Sequence, residues 1–451
     1  MTSLRTLSTA LAHSDITAAD LVATALARAE ASSSVFVALN PGLLSLAESI
    51  DRIRKNQSSS PPLAGIPVTL KDLFNVRNER TLAGSIVLKN TALPEDEDAD
   101  VIAPLREAGL LFLGRTNMSE FAFSGLGTNP HYGNALSIWD RQTGRIAGGS
   151  SSGSAVSVAE GIVVASLGSD TAGSCRVPAA FNGIVGVKPS YGRMSLNGIY
   201  PLSPSSDAPG PLANDVDSCY ILDQLMCGGV KPKGALPALK MRSITSLKLV
   251  IPESQVLAGL DPEVQTAFDR TIDCLRSAGA DIKIVKMPVI DSSIELFFTQ
   301  AIVLHEAYQH HQTLLEKYGD EYDPFVRDRI LTGRTISQQD QQKRYRAKAI
   351  VIEQFQQQFQ QLGIDALLYP TAPCIPPAVA EVADESKARS INLRCLRNTV
   401  TVNYFDGCSI SLPCHKTGEA PVGLMLSAMN GDDESLYSVS ATIEKALLDL
   451  R

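Results

Sequence analysis

Basic charge is in deficit in this sequence: 40 Lys and Arg stand against 48 Asp and Glu, a net charge of −8. A phosphate backbone is held by a basic face, so nucleic acid is not expected as the main partner, although a local basic pocket stays compatible with the count. No apolar run is long enough to span a bilayer, and the N-terminus carries no charged-then-apolar leader. No membrane partner is therefore expected, and the expected location is the cytoplasm. The eight cysteines (175, 219, 227, 274, 374, 395, 408 and 414) form no CxxC pair and no zinc-type spacing. They read as reduced thiols. HExxH and ordered carboxylate clusters are also missing, so no metal is expected. Histidine is scarce, with six residues (13, 131, 305, 310, 311 and 415), none in a motif resembling a Ser-His-Asp arrangement. No internal repeat is visible.

What is present is an ordinary globular composition, 44% hydrophobic and 20% charged over 451 residues. Thr17 followed by Asp20 reads as a capping box opening a helix through about Glu30. The first sixty residues read as helices, closing in the polar run Asn56 to Ser60 and Pro61-Pro62. Beyond them apolar strand patterns alternate with helical ones. Residues 101–108 read as a helix stopped at Gly109, and 110–113, 162–167, 247–251 and 282–285 as strands. Val264, Phe268, Ile272 and Leu275 mark one face of a helix ending at Gly279. The Gln-rich stretch 338–361 keeps apolar Ile350, Phe355 and Phe359 and reads as a solvated helix. This alternation means α/β. With no linker after Pro62, residues 1–451 are expected to form one domain, residues 1–60 packing on it as a helical segment.

The most unusual segment runs from Gly148 to Arg176: Gly-Gly-Ser-Ser-Ser-Gly-Ser, an apolar strand, then Ser169-Asp-Thr-Ala-Gly-Ser-Cys-Arg. A phosphate loop would need GxxxxGK[ST], and no lysine sits there. Residues 149–153 match GxSxG, but a nucleophile elbow follows a strand and residues 140–147 are polar. The second cluster is better placed. Small residues before Ser174 let successive backbone N–H groups converge beside a hydroxyl, as acyl transfer requires. A serine needs a base. From the residues alone, that base is open between a histidine brought from elsewhere in the chain and Lys71. Lys71 ends the apolar Gly65-Ile-Pro-Val-Thr-Leu-Lys, where burial would lower its pKa. A lysine in such a place is on its own more readily a structural ion pair.

Ala64-Gly-Ile-Pro-Val-Thr-Leu-Lys-Asp, Gly148-Gly-Ser-Ser-Ser-Gly-Ser and Asp170-Thr-Ala-Gly-Ser-Cys-Arg-Val-Pro-Ala together resemble the amidase signature family. The likeness continues through Gly186-Val-Lys-Pro-Ser-Tyr-Gly-Arg, Asp365 to Pro373, Arg397-Asn-Thr, Asn403, and Leu412-Pro to Pro421-Val-Gly-Leu, nearly the whole chain. The resemblance implies a single α/β/α sandwich around a large mixed β-sheet, with no metal or organic cofactor. It makes Ser174 the nucleophile, Ser150 the proton relay after a cis Gly149–Ser150 peptide, and Lys71 the base. Ser151, Ser152 and Ser154 are the neighbours passed over for the relay. The N–H groups of Thr171, Ala172, Gly173 and Ser174 would form the oxyanion hole, with Asp170 and Arg176 bracing the loop as an ion pair. Cys175 departs from the family, where that position is commonly aliphatic or glycine; it reads as a small buried residue.

By the same resemblance the partner is a small-molecule carboxamide, cleaved to acid and ammonia or amine. Two other activities stay open: the glutaminase component of a tRNA-dependent amidotransferase, and an allophanate or urea-derivative hydrolase. Asp-Thr-Ala-Gly-Ser resembles the allophanate hydrolases, whereas 201–211 looks more like general amidases. The intact lysine and serines speak against a non-enzymatic assembly partner. Nucleic acid enters only in the amidotransferase case, and a homodimer is left open. Residues 121–132 and 294–333 are the candidate substrate-pocket segments.

Overall fold

Strands covered on both faces cannot alternate apolar and polar residues, and most strands here do not. A computed structural model describes residues 2–56 and 60–448. Eleven strands among them join one mixed sheet: β1 (Phe36–Leu39), β2 (Pro67–Lys71), β3 (Leu111–Thr116), β4 (Ala165–Ser169), β5 (Val185–Lys188), β6 (Pro209–Ala213), β7 (Lys248–Glu253), β8 (Asp281–Lys286), β9 (Ala366–Pro370), β10 (Cys408–Pro413) and β11 (Gly423–Ala428). Their spatial order is β1-β3-β2-β4-β6-β5-β10-β11-β9-β7-β8. Every residue of β2, β3, β4, β5, β6, β9, β10 and β11 is buried, so helices cover both faces. Exposure appears only towards the rims. The edge strand β8 carries Asp281, Lys283 and Lys286, charges that discourage pairing with another sheet. The expected α/β class and large mixed sheet are found.

The pairing is parallel for β3-β2-β4 and for β9-β7-β8, and antiparallel from β4 through β6, β5, β10 and β11 to β9. Parallel register sets Leu70 beside Leu167, so the carboxyl ends of β2 and β4 finish side by side. Ligands in α/β sheets bind outside such ends. Lys71 and Ser169 are the last residues of those two strands.

The element boundaries move by a few residues from the sequence pattern. The helix expected at 101–108 is the shorter Ala103–Glu107, and the strand after Gly109 runs on to Thr116. The strand expected at 162–167 begins only at Ala165, because residues 160–162 close the preceding helix in a turn. Thr17 caps as expected, its hydroxyl accepting the Asp20 N–H at 3.0 Å. The reading of the first sixty residues as helices alone is corrected by β1, a four-residue edge strand too short to show a period. The helices Leu4–Ala12, Ala18–Ala31 and Leu43–Asn56 share one apolar core with Val68 and Leu70 of β2. The polar run that closes them continues into 57–59, which lie outside the described residues, as do 1 and 449–451. The Gln-rich helix spans Gln338–Leu362 and buries Val351, Phe355 and Phe359, an i, i+4, i+8 stripe. Ile350, one residue off that stripe, is 56% exposed. No helix among the described residues is long and apolar enough to cross a membrane. All eight cysteines are free thiols, six of them buried.

Candidate active site

Three segments meet at the carboxyl ends of β2 and β4: Lys71 itself, the turn 148–151 that opens the helix Ser152–Ala159, and the loop 170–175 between β4 and the helix Arg176–Asn182. Lys71 is fully buried, and its Nζ donates to Ser150 Oγ at 2.7 Å and to Ser169 Oγ at 2.8 Å. The Gly149–Ser150 peptide is cis. The Ser151 N–H donates to the Ser174 carbonyl at 3.2 Å, tying the two serine loops together. Ser174 Oγ makes no hydrogen bond among the described residues, and Ser174 lines a cavity of about 210 Å³. Lys71 and Ser150 are not among the residues that line it.

Electrostatics distinguish the groups. Burial lowers Lys71 from the ordinary 10.5 to about 8, a burial effect larger than the opposing pull of the nearby acidic groups. The Cys175 thiol is pushed up by burial and is a poor nucleophile there. Asp170 is opposed by its burial, yet Arg176, two-pronged at 2.8 and 2.9 Å, and Asn403 at 3.0 Å hold its carboxyl well below the usual range. Both members of that ion pair are fully buried.

Asp170 also shapes the loop after it. Its oxygens accept the N–H groups of Gly173 (2.7 Å) and Cys175 (3.1 Å). The N–H of Gly173, one of the four expected oxyanion donors, is thus already engaged. Those of Thr171, Ala172 and Ser174 have no acceptor among the described residues. Gly173 sits at φ +128°, and a Cβ there would come within 2.2 Å of Thr399 Oγ1. That same hydroxyl donates to the Ala172 carbonyl at 2.6 Å, and the Thr171 hydroxyl donates to Asp207.

The remaining cavity wall comes from far away in the chain. Ala122 to Gly125 line one side, following two consecutive non-glycine residues at positive φ, Phe121 (51°) and Ala122 (60°). Strained backbone of this kind concentrates at functional sites. Phe297 to Thr332 supply a second side, so both segments read as pocket candidates contribute. A third side, from Arg389 to Leu396, carried no signal in the sequence. None of the described histidines lines the cavity.

Residues 20–437 match the model of the amidase family. The chain belongs to this family. It is a hydrolase acting on C–N amide bonds. Over 406 residues it is 31% identical to the 2-amino-5-chloromuconic acid deaminase of Comamonas testosteroni, covering 89% of this chain and 85% of the relative. It is 30% identical to the A subunit of the glutamyl-tRNA(Gln) amidotransferase of Cupriavidus metallidurans, over 99% of this chain and 97% of that one. A crystal structure of an amidase superposes with a TM-score of 0.85 at 31% identity, covering 99% of this chain and 100% of the other.

Within this amidase fold Ser169 is the residue that sequence reasoning passed over. It lies in the unusual segment between Gly148 and Arg176, but only the parallel pairing of β2 with β4 brings its hydroxyl to Lys71. The Asp170–Arg176 pair yields a stability prediction. Removing one member of a buried, hydrogen-bonded pair typically costs about 3–5 kcal/mol, because the other charge is stranded. Asp170→Asn should therefore lower the melting temperature sharply, measured calorimetrically at neutral pH. A change within the error of the scan would show that the pair contributes little.

Proposed function

We propose that the enzyme hydrolyses a small carboxamide to acid and ammonia through an acyl-Ser174 intermediate, with Ser150 as relay and Lys71 as base. The observation that carries this reading is the buried Lys71 Nζ, lowered to about 8 and 2.7 Å from Ser150 Oγ, with the next residue, Ser151, bonded to the carbonyl of the cavity-lining Ser174. A neutral Lys71 takes the Ser150 proton while Ser150 takes that of Ser174, whose oxygen attacks the carbonyl carbon. The unpaired N–H groups of Thr171, Ala172 and Ser174 suit the developing oxyanion, and one such donor is typically worth about 10²–10³ in rate. The proton returns through Ser150 to the departing nitrogen, ammonia leaves, and water then cleaves the ester by the same relay. The free Ser174 hydroxyl is compatible with this, since catalytic hydrogen bonds in ligand-free sites often tighten only with substrate. Eight free cysteines support a reducing, cytoplasmic setting.

A two-step path can be intercepted. With hydroxylamine present, the enzyme should form the hydroxamate of its substrate alongside the acid. Intact-protein mass spectrometry of a slowly turned-over substrate should show the acyl mass on the peptide containing Ser174. An adduct mapped to Cys175 would move the nucleophile by one residue. Absence of both hydroxamate and adduct in a single turnover would favour direct attack by water.

A further inference from the structure

The cavity in front of Ser174 is lopsided in charge. Two guanidinium groups line it, Arg329 from the helix Pro324–Thr332 and Arg389 from the helix Glu385–Leu396, and no Asp or Glu among the described residues does. Arg329 is half-buried, stacked 4.2 Å over the Phe123 ring with one nitrogen donating to the Phe123 carbonyl. Among the described residues no carboxylate lies within ion-pairing distance of it. Burial lowers Arg329 to about 10, and the charge of Arg389 adds to that. An uncompensated guanidinium on an apolar-walled cavity is unfavourable, and an anion beside Arg329 relieves it. Asn392 adds a neutral donor. Its Oδ1 accepts the Gly125 N–H at 2.7 Å, which fixes the orientation of the amide and leaves Nδ2 without an acceptor among the described residues. Asn392 is 1% exposed and lines the same cavity.

We infer that, granted the acyl-serine reading above, the substrate is a short amide whose acyl part ends in a carboxylate and bears no ammonium group. Arg329 and Asn392 are the residues that read the carboxylate, and the product is a dicarboxylic acid. A guanidinium presents paired donors that match a carboxylate's two oxygens. An α-ammonium group entering this cavity would find the Arg329 cation and no carboxylate among the described lining residues, a buried charge without a partner. That separates the inferred substrate from an amino-acid amide such as glutamine. The cavity volume of about 210 Å³ lies below the ~300–1,000 Å³ usual for drug-sized ligands, which keeps the acyl chain short.

Three amides isolate these features. Glutaramate differs from glutamine only by the ammonium group, and from pentanamide only by the carboxylate in place of a methyl. In the wild-type enzyme kcat/KM for glutaramate should exceed that for either other amide by about 10²-fold. Arg329→Gln should remove most of that advantage, mainly through KM, and Arg329→Lys should recover part of it. Binding is read separately by titrating glutarate calorimetrically into Ser174→Ala, and into the same variant with Arg329→Gln. Saturable binding lost with Arg329 supports the inference even if none of the three amides turns over, an outcome that would count against the acyl-serine reading alone. Equal rates on all three amides, a preference for glutamine, or no glutarate binding to Ser174→Ala would overturn the inference while leaving amide hydrolysis at Ser174 standing.

Discussion

Ser174→Ala should lower kcat by about 10⁵-fold or more, with melting unchanged within a few degrees. The substitution removes one oxygen at a residue 5% exposed to the cavity, whose hydroxyl bonds to nothing in the described chain, so the folded state loses no partner. Lys71→Met, which keeps the length of the side chain, should fall as far. Lys71 is buried, so melting must be followed in parallel: losing its bonds to Ser150 and Ser169 strands two hydroxyls, at roughly 1–3 kcal/mol each. Nucleophile and base act as one unit, so the double variant should be scarcely worse than either single one. Near-normal turnover by folded Lys71→Met would sink the lysine base and return the role to a histidine. In that case single replacements of His305, His310, His311 and His415 would find it. Ser169→Ala should be milder, chiefly changing the pH profile by removing one of the two hydroxyls that hold the Lys71 amine.

The second large effect is on pH. Only the neutral amine of Lys71 can accept a proton, and burial depresses its pKa from 10.5 to about 8. Under the proposed mechanism protonation removes the base as pH falls, so kcat/KM should climb about tenfold per pH unit well below 8 and level off above it. Between pH 6 and pH 8 the rise is about fifty-fold, because half of the sites are still protonated at pH 8. The depression matters for rate at neutral pH: about a tenth of the sites are unprotonated at pH 7, against about three in ten thousand for an unshifted lysine. Lys188 is a control, since burial also takes it to about 8 while its Nζ donates to the carbonyls of Pro189 and Gly407, not to a hydroxyl. Folded Lys188→Met should keep the same rising limb. A profile flat or falling from acid through neutral pH would contradict the assignment of the base.

Legibility from sequence followed the range of the interactions. Val264, Phe268, Ile272 and Leu275 sit one helical turn apart, and the helix Pro262–Ser277 buries all four. Local order is readable because it is written in neighbours. The edge strand β1 was not, since four residues give no period and its pairing with β3 is made about eighty residues away. Lys71 and Ser150 come together with the ends of β2 and β4, which their apolar runs announced. The engagement of Gly173 by Asp170 depends on how six residues turn, and small side chains permit many turns. The cavity was the least legible part. Ser174, Arg329 and Asn392 share it only because the fold superimposes segments with no common pattern.

The thiols give the molecule a chemical clock for its own opening. Cys175 follows Ser174, Cys395 lies in the helix that walls the cavity, and Cys408 and Cys414 bracket the core strand β10, all four buried. None can meet an alkylating reagent without local or global unfolding, whereas the half-buried Cys227 and Cys274 can be modified first and set aside. Pulsed alkylation read by peptide mass would then rank the segments by opening free energy. Labelling of Cys395 ahead of Cys408 would mean that the wall which admits substrate breathes independently of the sheet that holds the chemistry.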